Sequence, residues 1–220
     1  MTHRHFQDDL DRLKSSLVGM AGLAERAVRD AVDALLRRDD VKANAVVAGD
    51  EMLDALEVEI ENMAVNLLAL QQPMARDLRL ITMSLKISSD LERVGDHAVN
   101  IAENVQYIIK APLFPVLPEI EEMVRVATEM LTDALDAFIR GDAAAARAVI
   151  ARDDRVDELH ENNFRILLTH MMEDARKIGN SLELLLVSRN LERVADLATN
   201  IAEDAVYVAE GKQIAHHFED

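Results

Sequence analysis

Residues 90–105 read DLERVGDHAVNIAENV and residues 190–205 read NLERVADLATNIAEDA, identical at ten of sixteen positions with an offset of 100. A second echo lies upstream, AVVAGDEMLD at 45–54 against AVIARDDRVD at 148–157, with an offset of 103. Two matched segments in the same order and at nearly the same offset mark a duplicated unit, and they predict two superimposable halves in tandem. Within the first copy Leu91, Val94, Ala98 and Ile101 recur at three and four residues, the spacing of one buried helical face.

Outward from these segments, prolines supply the punctuation. Pro112, Pro115 and Pro118 crowd into one stretch that cannot continue a helix, which divides the chain into a first unit over 1–113 and a second over 114–220. In the first unit Phe6, Leu10, Leu13, Leu17, Met20, Ala24, Val28, Ala31 and Leu35 trace an amphipathic helix ending near Arg38, and Asp39 or Asp40 can cap the next. That second helix carries Leu53, Leu56, Ile60, Met63, Leu67 and Leu70 and stops before Gln71, Gln72 and Pro73; a third runs from about Ala75 to Ala111, roughly 50 Å at 1.5 Å per residue. The pattern restarts with Met123, Ala127, Met130, Ala134 and Phe138, and Gly141-Asp142 supplies a stop and a fresh cap before two more helices run to about Gly211. Long amphipathic helices joined by short turns hide their apolar stripes as antiparallel bundles. The expected fold is all-α: six helices in two tandem, sequence-related three-helix bundles.

Composition agrees with this and narrows function. Half of the 220 residues are hydrophobic, only 3% are aromatic, and there is no Trp. The net charge of −17, with dispersed Lys and Arg, disfavours nucleic acid as a partner. No Cys is present, which excludes disulfides, thiolate metal sites and Cys nucleophiles. The polar start over Met1–Asp9 lacks a signal core, and no run approaches the roughly 20 apolar residues of a membrane span, so a soluble cytoplasmic protein is expected.

Carboxylates recur four apart on two helices of each half: Asp50 and Asp54 with Glu92 and Asp96, then Asp153 and Asp157 with Glu192 and Asp196. A single such pair is ordinarily a solvated face tied by basic neighbours. Here like charges repeat at a destabilising spacing on four helices, and the positions three and four residues from Asp50 and Asp54 hold no Lys or Arg. Register then brings the pairs together. Asp54 and Glu92 are equidistant from Pro73, as are Asp50 and Asp96; Asp157 and Glu192, and Asp153 and Asp196, are equidistant from the junction of Asp174 and Ala175. Each quartet is expected to meet across one antiparallel hairpin, on the side away from the apolar face. Four converging carboxylates need protons or a cation, and an oxygen-only donor set suits a hard ion such as Mg²⁺, Mn²⁺ or iron. His160 stands at the Glu57 position of the second copy and offers a nitrogen; His97 has Leu197 as its counterpart; both read first as surface histidines. Asn100 and Asn200 extend the acidic stripe by one turn. No glycine-rich phosphate loop, Gly-x-Ser-x-Gly or His-Glu-x-x-His occurs.

At these residues the chain resembles the PhoU family, accessory regulators of high-affinity phosphate uptake in bacteria. The resemblance runs from about Phe6 to Gly211 and is carried by the four paired acidic motifs, the Leu-Glu-Arg-Val runs at Leu91 and Leu191, and Gln71-Gln72-Pro73-Met74-Ala75 at the first hairpin. It implies tandem three-helix bundles, homodimerisation and multinuclear metal clusters on the acidic motifs. It also implies negative control of the pho regulon, exerted by linking the ATP-binding subunit of the phosphate ABC transporter to a membrane sensor histidine kinase. Output in such a protein is contact, so no enzyme activity is expected. The chain departs from the pattern at Asn190 (for Asp90) and His160 (for Glu57). The alternative is a carboxylate-bridged di-iron oxidase on a helical bundle, which wants Glu-x-x-His on two helices where this chain offers only Asp157 to His160. The end of the chain, Lys212–Asp220 with His216 and His217, is expected to be disordered.

Overall fold

A computed structural model describes residues 2–112, 114–212 and 214, with side chains from residue 5 onward; most of the Lys212–Asp220 tail lies outside the described residues. The elements are α1 (Thr2–Arg37), α2 (Asp40–Gly49), α3 (Glu51–Gln71), α4 (Ala75–Lys110), α5 (Pro118–Arg140), α6 (Ala143–Ile150), α7 (Asp153–Glu173), a 3-10 turn (Ala175–Lys177) and α8 (Ile178–Glu210). Among the described residues there is no strand, and no helix is long and apolar enough to cross a membrane.

The eight α-helical segments make six rods, because α2 with α3 and α6 with α7 each form one rod with a break. The breaks fall at Asp50, the first acid of one motif, and at Ala151–Arg152, just before Asp153, the first acid of the other. The sequence pattern reads straight through both, since backbone dihedrals there stay helical (Asp50 φ −62, ψ −39). Ends follow the expected chemistry. The Asp39 side chain accepts from the Lys42 amide, and Asp142 accepts from Ala144 and Ala145, each satisfying amides a helix start leaves open. Gly141 closes α5 in the left-handed region (φ 66), where a side chain would be strained. Asp142→Ala is expected to lower stability by about 1 kcal/mol, the usual worth of an N-cap; an unchanged urea midpoint would show that α6 is held by packing alone.

Burial tracks the apolar spacing. In α1 Leu10, Leu13, Leu17, Met20, Ala24, Val28, Ala31 and Leu35 are buried, and in α5 Met123, Ala127, Met130, Ala134 and Phe138 are fully buried. In α3 Leu53, Ile60 and Leu67 are buried and Leu56 and Met63 half-buried, but Leu70 is 76% exposed. The reason is rotational drift. A 3.5-residue repeat slips about 20° per heptad against a straight helix, so by Leu70 the stripe has turned off the packed face.

The two repeats do not stand apart. Their buried residues form one continuous cluster, with α1 packed on α5 and α4 on α8. The α4–α8 pair is antiparallel, as three cross-links show: Arg79 donates to the Val208 carbonyl (3.1 Å), Lys86 bonds Asp204 (2.9 Å), and His97 Nδ1 meets Asn190 Oδ1 (2.9 Å). Arg38 donates to the Ile109 and Ala111 carbonyls, closing the end of α4. Phe114 and Leu117 of the proline segment are buried, so the connection between repeats is part of the core.

Candidate metal centre on the helical hairpins

The first quartet sits where α2 turns into α3 and lies against the middle of α4. Its close approach depends on Gly95. A methyl group there would collide with Leu53 Cδ1 and stand 3.1 Å from Asp50 Oδ1, so the missing side chain lets α3 settle onto α4 with Asp50 against its backbone. The second repeat has Ala195 at this place and the smaller Val156 opposite it in place of Leu53. A methyl gained on one helix is matched by a methylene lost on the other.

Electrostatics show that the carboxylates share one field. Burial, then Asp96, Glu57, Asp54 and Asp50, push the Glu92 carboxyl up to about 7. Burial, then Asp54 and Asp96, raise that of Asp50. Glu92 and Asp50 are half-buried, while Asp54 and Asp96 are exposed, so the quartet faces water as its helical phase requires. Glu57 is a fifth member that register alone does not select, although its place three residues after Asp54 puts it on the same face.

The acids of the second repeat are paired differently. Arg193 bonds Asp196 (2.8 Å), whereas Arg93 in the first repeat leans towards Asp90 (3.6 Å). The substitution of Asn190 for Asp90 explains this: with no carboxylate at 190, the guanidinium turns to the acid three residues on. His160 is not a free surface ring. Its Nδ1 meets the buried Ser188 hydroxyl (2.9 Å), which also accepts from Asn163 (3.0 Å), leaving Nε2 as the nitrogen open to a ligand. His97 is likewise half-buried and bonded across the repeats to Asn190. Both depart from the surface reading because each lies on a flank of its helix that packs against a neighbour.

A second cluster of charge was not apparent in the sequence. Asp90 and Asp204 are 5% and 6% exposed between α4 and α8, with Lys86 bonded to Asp204 and Arg93 in a longer ion pair with Asp90. Burial raises both carboxyls, that of Asp90 to about 6. The only sequence sign was the reciprocal exchange of Asp90 for Asn190 and Asn104 for Asp204.

Do the residues suit a metal? In donor type and charge they do: Asp50, Asp54, Glu92 and Asp96 put oxygen donors on one hairpin, and burial, then acidic neighbours, raise the Glu92 carboxyl. A finished cage is not formed. Among the described residues, no three His, Asp or Glu groups close to metal-holding separation. The ferritin-like alternative is poorly matched, since Asp54, Asp96 and Asp157 are exposed rather than inward.

This is a two-repeat α-helical protein with an acidic motif at the same place on each helical hairpin. The PhoU domain profile matches it twice, over residues 17–105 and 120–205, and the chain belongs to that family. It is 44% identical over 214 residues to the phosphate-specific transport system accessory protein PhoU homolog of Caulobacter vibrioides, covering 97% of this chain and 93% of that one. The Clostridium acetobutylicum homolog of the same name is 38% identical, covering 97% and 98%. Among solved structures, PhoU from Pseudomonas aeruginosa superimposes with a TM-score of 0.88 at 37% identity, covering 94% of this chain and all of that one.

Proposed function

We propose that the protein is a regulator of phosphate uptake acting by contact in the cytoplasm, without catalysis of its own. Its relatives' names carry the phosphate-transport role. In this reading it forms a homodimer and negatively controls the phosphate-starvation response, by bridging the ATP-binding subunit of a phosphate ABC transporter and a sensor histidine kinase. The observation that carries the site is the seating of Asp50 against Gly95 of α4, beside Asp96 and three residues from Glu92.

Asp50, Asp54, Glu92 and Asp96 would hold a hard cation, iron, Mn or Mg, in the first repeat. Asp153, Asp157, Glu192 and Asp196 would do so in the second. The ion supplies positive charge that joins two helices and neutralises an acidic face. The chain's own residues do the rest: Gly95 sets the spacing of α3 from α4, and Arg193 shares Asp196 with any ion there. Such a neutralised face is one on which an acidic protein can receive a partner without like-charge repulsion.

Metal analysis of protein purified without chelator tests the site. The Glu92→Ala/Asp96→Ala variant is expected to lose the metal of the first repeat, and equal content in both proteins would remove the reading. For the role itself, co-purification from cells grown with and without phosphate is expected to recover transporter or kinase subunits; recovery of neither in either condition would count against a bridging regulator.

A further inference from the structure

Among the places beside the acidic motif where the two repeats differ, Gly49 against Arg152 is one at which one repeat shows what the other lacks. In the first repeat a cavity of about 440 Å³ opens between α1, α2 and α4, lined by Asp30, Asp39, Lys42, Gly49 and Asp50 among others, with Arg26 in its α1 wall, its guanidinium lying back towards Gly22. The matched segments put Arg152 at the place of Gly49, and the N-caps Asp39 and Asp142 carry the same offset of 103 back to Asp30 and Asp133. Arg152 reaches across the second repeat and bonds Asp133 at 2.7 Å. A side chain leaving position 49 towards Asp30 would follow the same path, through the cavity. In the second repeat the Arg152 guanidinium lies on this path, and in the first the path holds the cavity.

The cavity is suited to such a group. A Cβ added at Gly49 meets nothing within 4 Å, so the entry is clear. Asp30, the counterpart of the Arg152 anchor, is held by Lys42 at 3.0 Å, but Lys42 also bonds Asp33 at 2.7 Å. Asp33 is held in turn by Arg37. Lys42 can therefore stay on Asp33 while Asp30 takes a new cation. A planar guanidinium suits this better than an ammonium, because its fork engages a carboxylate with two parallel bonds.

We propose that this cavity is a docking pocket for an arginine side chain presented by a partner protein, the first repeat taking from outside the group that the second carries as Arg152. The pocket needs no metal on the hairpin, so its test is separate from that of the metal centre.

The test is amide NMR of the full chain titrated with three probes: agmatine, acetyl-arginine methylamide, and cadaverine as an ammonium control. Saturable shifts at Gly49 and Gly95 are expected with both guanidinium compounds, and binding about tenfold weaker with cadaverine, the scale of one charge-assisted bidentate contact. Gly49→Arg, which installs the residue of the second repeat, and Asp30→Asn, which removes the anchor without adding bulk, are each expected to weaken the guanidinium probes by about tenfold. The proposal is overturned by equal binding of cadaverine, by shifts spread over the acidic surface without saturation, or by unchanged binding in both variants. Binding of agmatine with acetyl-arginine methylamide excluded would overturn a protein-borne arginine as the occupant.

Discussion

Gly95→Ala is expected to destabilise the protein by about 2 kcal/mol, within the range for a methyl forced into a packed contact, and to loosen the first acidic cluster. The added carbon collides with Leu53 Cδ1, a side chain 3% exposed and held on all sides, so α3 has to move off α4. Asp50 moves with it, because that carboxylate would lie 3.1 Å from the same methyl. The double variant Gly95→Ala/Leu53→Val is expected to recover most of the loss, since Ala195 facing Val156 is the pairing the second repeat uses. Urea unfolding of the two single variants and the double gives the coupling directly. Additive losses, with no recovery in the double, would show that the α3–α4 spacing does not rest on this contact.

Much of this architecture could be read in advance, because each helix carries a long stripe and the duplication checks one half against the other. Asp39, Asp142, Gly141 and the apolar positions of α1 and α5 behave as their residue types dictate. The breaks at Asp50 and Ala151–Arg152 could not be read, since both halves of each rod keep helical dihedrals and the apolar spacing runs on. Leu70 failed for want of phase: a three-four pattern fixes a face only over a few turns. The first acidic quartet could be set at one height by register about Pro73, yet register gives height along a hairpin and not which arginine turns to which carboxylate. The different partners of Arg93 and Arg193 follow from residue 90 or 190, a context visible only when the copies are compared. The packing of α4 on α8 was the largest omission. Periodicity assigns each helix a buried face but does not name its partner, so it does not single out Asp90 and Asp204, which are buried between α4 and α8.

Glu92 gives the second large effect, a dependence of stability on pH and on divalent cation together. Its carboxyl is raised in the folded protein from the ordinary 4.5 to about 7. Between those values the native state keeps a proton that the unfolded chain releases, so stability falls as pH rises through that window and levels off above it. Unscreened, the shift corresponds to roughly 3 kcal/mol; water reaching the half-exposed site reduces this to about 1–2 kcal/mol. Asp50, Asp90 and Asp204, also raised, act in the same direction. The acids lowered by basic partners, such as Asp174 beside Arg176, lose their contribution only at lower pH, as they become protonated. In chelator, Glu92→Gln is expected to raise the melting temperature at pH 8 by roughly 2–6 °C and to change it little at pH 5, where wild type already carries the proton. Adding Mn²⁺ at pH 8 is expected to stabilise wild type and to do so much less in Glu92→Gln, because the cation relieves the repulsion that the amide has removed. The measurement is thermal unfolding at both pH values with and without the ion. Parallel pH profiles for the two proteins would show that Glu92 carries no unfavourable charge in the fold, and an equal response to Mn²⁺ would place any bound ion elsewhere.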